Sequence, residues 1–142
     1  MISEEDKYRI KRSASQQKAM LFLIENKIFG DYAGVLLISA ILGFLNNKKL
    51  PIDKQASDSV QITFFDSEAR NIIKLIAFLD SGNSSIINSM DKYQIFEEYA
   101  YAGFPILLEK LEIDKDAIEK NNCVINQLLV LKKYDSLVNQ LM

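Results

Sequence analysis

Histidine is absent from the 142 residues, and cysteine occurs once, as Cys123. Without histidine the chain lacks the commonest general base near neutral pH and the commonest transition-metal ligand, which excludes Ser-His-Asp hydrolases, Cys-His enzymes and HExxH metalloproteases. A single cysteine forbids an internal disulfide and a cysteine-built zinc cluster within one chain, and it points to a reducing cytoplasm. Prolines number two and glycines five. The glycines are scattered and spell neither GxxxxGK(S/T) nor GxGxxG, so a standard phosphate loop is excluded. Neither sign of charge dominates, with 17 Lys and Arg against 19 Asp and Glu. That balance argues against coating nucleic acid by bulk electrostatics. Long hydrophobic runs are missing too: Ala33 to Leu45 is well short of the roughly 20 residues a membrane-spanning helix needs, and reads as a core helix. The opening MISEEDKYRIKRSASQQKAM has no apolar stretch behind a basic leader, so no secretory signal is expected.

What is present is helical periodicity in a chain that is 49% hydrophobic and 25% charged, the balance of one globular domain spanning 1–142. Residues 3–27 contain neither Gly nor Pro, and Ser3 with Asp6 has capping-box spacing, so a basic first helix is expected there. Gly30 is read as its stop and Asp31 as the cap of the second helix. In that helix Ala33, Leu36, Leu37, Ala40, Ile41, Phe44 and Leu45 share one side while Val35, Ile38 and Leu42 fill the other, the pattern of a central helix. A loop follows from Asn46 to Ser59, with Pro51 preventing continuation. Val60 to Phe65 has strand character but no evident partner strand, so an extended tether is expected. A third helix starts at Asp66 with Ile72, Leu75, Ile76 and Leu79 on its stripe. Gly103 and Pro105 interrupt the pattern from Asp91 to Glu112, which predicts one helix ending near Ala102 and another starting near Pro105. Asn121 and Asn122 are expected to cap a docking helix over 122–141, with Val124, Ile125, Leu128, Leu131, Tyr134, Val138 and Leu141 as its stripe. The predicted fold is mainly α: an irregular bundle of five or six helices with at most one short extended segment near 60–65.

Few residues suggest chemistry. Glu97 and Glu98 are adjacent carboxylates, but sequence neighbours on a helix point about 100° apart, so one solvated and one partly buried, hydrogen-bonded glutamate are expected. Asp114 and Asp116 lack the glycine and closing glutamate of a calcium loop and read as a solvated turn. No residue is assigned a catalytic, cofactor-binding or metal-binding role. Two basic groups could contact DNA or a partner: Lys7, Arg9, Lys11, Arg12 and Lys18 in the first helix, and Lys48 with Lys49 after the second. On a helix Lys7 and Lys11 would share a face able to follow a phosphate backbone. Phe96 and Tyr99 are read as core, and Tyr101, with Phe104 and Pro105 at the predicted bend, as a candidate interface anchor.

Three ordered stretches carry a resemblance. They are Phe29 to Phe44 (FGDYAGVLLISAILGF) followed by Lys48-Lys49-Leu50-Pro51-Ile52, then Ile72 to Ala77, then Ile95 to Gly103 within the phrase IFEEYAYAGF. Together, over about residues 28–111, the chain resembles the Dnd system-associated protein 4 family, also called DNA phosphorothioation-associated protein 4. It departs from the family pattern at Asn46 and Asn47, which make the turn after Phe44 less basic, and at Tyr101, where members often carry Asn. The resemblance implies an accessory component encoded beside bacterial defence systems that restrict DNA according to backbone phosphorothioate modification. The expected role is a non-enzymatic, cytoplasmic subunit without cofactor or membrane attachment, docking on a larger ATPase or nuclease. The alternative is a small DNA-binding regulator using the basic first helix and the Lys48-Lys49 turn.

Overall fold

The computed structural model describes residues 3–141. Six α-helices are present among them: α1 (Gln17–Glu25), α2 (Tyr32–Leu45), α3 (Ser67–Ser81), α4 (Asp91–Lys110), α5 (Lys115–Glu119) and α6 (Gln127–Leu141). The mainly α bundle is therefore as expected, with a two-stranded antiparallel ribbon of β1 (Arg9–Ile10) and β2 (Val60–Gln61) beside it.

That ribbon corrects two expectations at once. Residues 3–27 are not one helix: Ser3 does accept from the Asp6 amide at 3.2 Å, but the turn it starts ends at Lys7, and an extended arm follows. Arg9 pairs with Gln61 and Ile10 with Val60, so the segment expected to be a partnerless tether has its partner in the arm. The arm continues along the 46–59 loop, where Ala56 N donates to Arg12 O and Ala14 N to Lys54 O, both at 2.8 Å. Tyr8, Ile10 and Arg12 alternate with Arg9 and Lys11, a period of two that helical propensity in the same residues obscures.

Helix ends follow the cap chemistry in part. Asp31 accepts from Gly34 N at 2.9 Å and Asp66 from Ala69 N at 2.8 Å, as N-caps do. The stop of α1 is not Gly30 but Lys27, whose φ of 61° is left-handed. There Ile28 N reaches Leu23 O at 2.9 Å and Lys27 N reaches Ile24 O at 3.0 Å, and Ile28 and Leu23 are both buried. That is a Schellman ending with its apolar contact, made without glycine. Asn47, Glu112 and Asn121 end α2, α4 and α5 in the same left-handed conformation. Asn121 therefore closes α5 and does not cap α6; that cap is Asn126, which accepts from Leu129 N at 3.2 Å.

α2 and α4 form the centre and touch backbone to backbone. A Cβ on Gly43 would lie 2.3 Å from Tyr99 O, and one on Gly103 would lie 1.8 Å from Ser39 O. Glycine at both positions is what lets the two helices meet. α4 runs unbroken through Pro105, contrary to the expected break after Ala102. Proline leaves the carbonyl four residues earlier, Tyr101 O, without its helical donor, and buried Gln16 supplies one through Nε2 at 2.9 Å. A long-range hydrogen bond thus accommodates a residue that normally ends a helix.

Two apolar stripes are rotated from expectation. α3 buries Ala69, Ile73, Ile76 and Ala77, leaving Leu75 and Leu79 exposed. α6 buries Val130 and Leu137, packs Tyr134 edge-on against Phe29 with centroids 4.7 Å apart, and leaves Leu128 exposed, as is Val124 ahead of it. One cluster of buried side chains runs from Ile10 to Leu137.

Candidate functional site

The densest polar organisation lies where the arm crosses α4. Tyr8 stacks on Tyr93 with centroids 4.4 Å apart, and Tyr8 Oη donates to Glu97 Oε2 at 3.0 Å. Lys11 N donates to the same oxygen at 2.7 Å. Glu97 is 4% exposed, so burial pushes its carboxyl above the usual range, against the opposing pull of the Lys11 amide and the Tyr8 hydroxyl. One turn earlier, buried Lys92 pairs with Glu5, and Tyr93 Oη donates to the same Glu5 oxygen at 3.4 Å. Arg70 of α3 completes the clamp, donating to Asp6 at 3.3 Å and to Phe65 O at 2.9 Å.

Beside this seam a cleft of about 400 Å³ opens between the arm, the 46–59 loop and the first turns of α4. Glu97 forms part of its wall; Glu98 and Asp91 lie on the α4 side, and Lys11 and Tyr8 on the arm side. Both hydrogen bonds to Glu97 use Oε2, leaving Oε1 without a partner among the described residues. Glu98 is partly exposed and accepts from Gln94 at 3.2 Å. The two glutamates therefore divide as expected, one buried and bonded, one in contact with water.

The predicted contact residues are scattered. With no helix over 3–27, Lys7 and Lys11 share no helical face. Exposed Lys7 lies 3.6 Å from Glu4, and Arg9 donates to Ser59 Oγ at 2.7 Å. Arg12 is 2% exposed, with its guanidinium 4.1 Å from the centre of the Tyr32 ring and bonded to Gln17. Its Nε and Nη2 are sealed and unpaired, and desolvation lowers its pKa, so it is a core group and not a surface contact. Lys18 donates to Glu119 O at 2.9 Å. Lys49 pairs with Asp80 at 3.0 Å beneath a Tyr99 hydroxyl that itself donates to Asp80 at 2.6 Å, while Lys48 is exposed.

Of the expected anchor, Phe104 is 1% exposed and packs in the core, because an unbroken α4 turns it inward. Tyr101 is half-buried, with its hydroxyl raised by burial and by Asp53, and Pro105 is exposed. Asp114 caps α5, accepting from Asp116 N at 2.9 Å. Among the described residues no three Asp, Glu or Cys side chains gather closely enough to hold a metal ion, and no helix is long and apolar enough to cross a membrane.

Sequence reasoning singled out Glu97 and Lys11 but not Tyr8, Asp91 or Gln16. The alternation of Tyr8, Ile10 and Arg12 was the available signal.

The fold and the seam define a class: a small helical domain built on a close-packed α2–α4 pair, clamped by an extended N-terminal arm through buried charges. The sequence profile of the DNA sulphur modification system-associated protein 4 family matches residues 9–137, and the chain belongs to that family. The match takes in the arm from Arg9 onward and most of α6 as well as the central helices. No curated protein and no solved structure matches the chain.

Proposed function

We propose that this protein is a non-enzymatic, cytoplasmic accessory subunit of a DNA-sulphur-modification antiviral defence system, docking on a larger ATPase or nuclease. The observation that carries the reading is the apolar exposure just before and at the start of α6, where Val124 is 93%, Leu128 73% and Leu129 51% exposed. Clustered apolar exposure of this kind is what partner surfaces supply and what isolated monomers avoid. Family membership supplies the context, and the lack of histidine and of a phosphate loop supports chemistry residing in another chain.

A DNA-binding regulator is the less supported reading, because Arg9, Arg12, Lys18 and Lys49 are engaged within the molecule. Co-purification of the tagged protein from cells expressing the whole system tests the proposal. A larger subunit should be retained by the wild type and lost from the folded Leu128→Ser, Leu129→Ser double variant. Retention of no subunit, together with tight DNA binding by the isolated protein that falls steeply with salt, favours the regulator instead.

A further inference from the structure

We propose that the outward face of α3 is the interface of a symmetric dimer, in which it packs antiparallel against α3 of a second copy of this chain. The face is separate from the start of α6, so the inference does not rest on the docking reading above.

Glu68, Ile72, Leu75 and Leu79 follow one another at intervals of 4, 3 and 4 residues, which places them on one stripe of α3. Phe78 lies beside that stripe. The opposite side of the helix is taken up by the core through Ala69, Ile73, Ile76 and Ala77. Leu75 is 53%, Phe78 37% and Leu79 54% exposed. Leu45 and Leu50, each more than half exposed, flank the Lys48-Lys49 turn in sequence. Lys49 ties that turn to Asp80 in the last turn of α3 at 3.0 Å, so its leucines extend the face at the C-terminal end.

Area points to a second copy. At about 180 Å² for a whole leucine and about 200 Å² for phenylalanine, these side chains leave roughly 470 Å² of apolar surface uncovered per chain. A standard interface takes about 800 Å² from each partner, and about 65% of a homodimer interface is apolar, or roughly 520 Å². The face supplies most of what one side of a stable dimer needs.

Charge placement points the same way. Glu68 stands in the first turn of α3 and Lys48 beside its last; both are exposed, and among the described residues neither is in an ion pair. A two-fold axis near Leu75 reverses the second copy, so Leu79 of each chain meets Ile72 of the other and each Glu68 approaches the other's Lys48. Lys74, 100° of helix from Leu75, stays at the flank. Antiparallel helices also oppose their dipoles. A face that is complementary to itself when rotated by half a turn is what an isologous interface requires, and an unlike partner imposes no such condition.

Sedimentation equilibrium of the full-length protein from about 1 to 200 μM tests the inference. The mass should rise from 16.2 kDa toward twice that value as concentration increases. Leu75→Ser with Leu79→Ser should weaken association about thirtyfold or more. Glu68→Lys and Lys48→Glu should each weaken it about tenfold, since the two-fold repeats every like-charge contact, and the double reversal should return it to within about threefold of wild type. The charge variants decide the matter even if the leucine variant fails to fold. A wild type that stays monomeric throughout overturns the proposal, as does a double reversal no better than the single ones. Dimerisation that survives the α3 leucine changes but is lost in the Leu128→Ser, Leu129→Ser variant overturns it too, by placing the contact on α6.

Discussion

Glu97 does two things with one carboxylate. Oε2 holds the arm in place through Tyr8 and the Lys11 amide, and burial raises the pKa of the group as a whole. Glu97→Ala leaves both donors without an acceptor and should cost about 2–4 kcal/mol in urea denaturation. Glu97→Gln, which resembles the protonated side chain, should cost little. A carboxyl whose pKa is higher folded than unfolded favours the folded state most below its unfolded value, and loses that contribution as pH rises through the folded one. The stability of Glu97→Gln relative to wild type should therefore improve from pH 4 upward and level off above the raised value. A difference that does not change with pH excludes a raised carboxyl.

At the scale of elements, the contact between α2 and α4 decides the architecture. Gly43 and Gly103 are permissive for distance rather than for backbone angle, since neither has a positive φ and each faces a carbonyl of the other helix. Gly103→Ala should lose about 3 kcal/mol or more in thermal or chemical denaturation, because all three obstructing atoms, Ser39 O, Ser39 C and Gly43 N, are backbone. Gly30→Ala, with nothing within 4 Å of its added methyl, should leave stability within about 0.5 kcal/mol of wild type. Equal effects at the two sites would mean that the helices are not in backbone contact. Pro105 belongs to the same pair of helices: the bond it cannot make is made by Gln16, which ties the turn before α1 to the middle of α4.

Across the whole molecule, the arm is the element that converts a helix pair into a closed domain. It buries Ile10, supplies the second strand, and partners Lys92, Glu97 and Arg70. Removing residues 1–8 strips Lys92 of its counter-charge inside the protein and should cost about 3–5 kcal/mol or prevent folding. An independent, solvated DNA-binding helix at this position would be removable with the melting temperature unchanged, so the truncation separates the two pictures. The outward leucines of α3 and the apolar start of α6 stay uncovered by the molecule's own chain.

The sequence by itself determined the helical class, the boundaries of α2 and the start of α3, because helical apolar spacing and the Asp31 and Asp66 caps act within a few residues. It also implied that one of Glu97 and Glu98 would be buried and the other solvated, since adjacent helical residues diverge by geometry alone, while the structure decided which. Tertiary structure decided the rest. The arm became extended because Val60 and Gln61 were there to pair with it, and Pro105 stayed inside a helix because Gln16 reached its orphaned carbonyl. Which stripe of α3 and α6 faced inward depended on the surfaces they met. Histidine and nucleotide-binding motifs are missing from the sequence; what the fold added is a buried carboxylate beside a cleft, assembled from segments more than eighty residues apart. No local pattern encodes such a contact, because its energy exists only once the chain has closed.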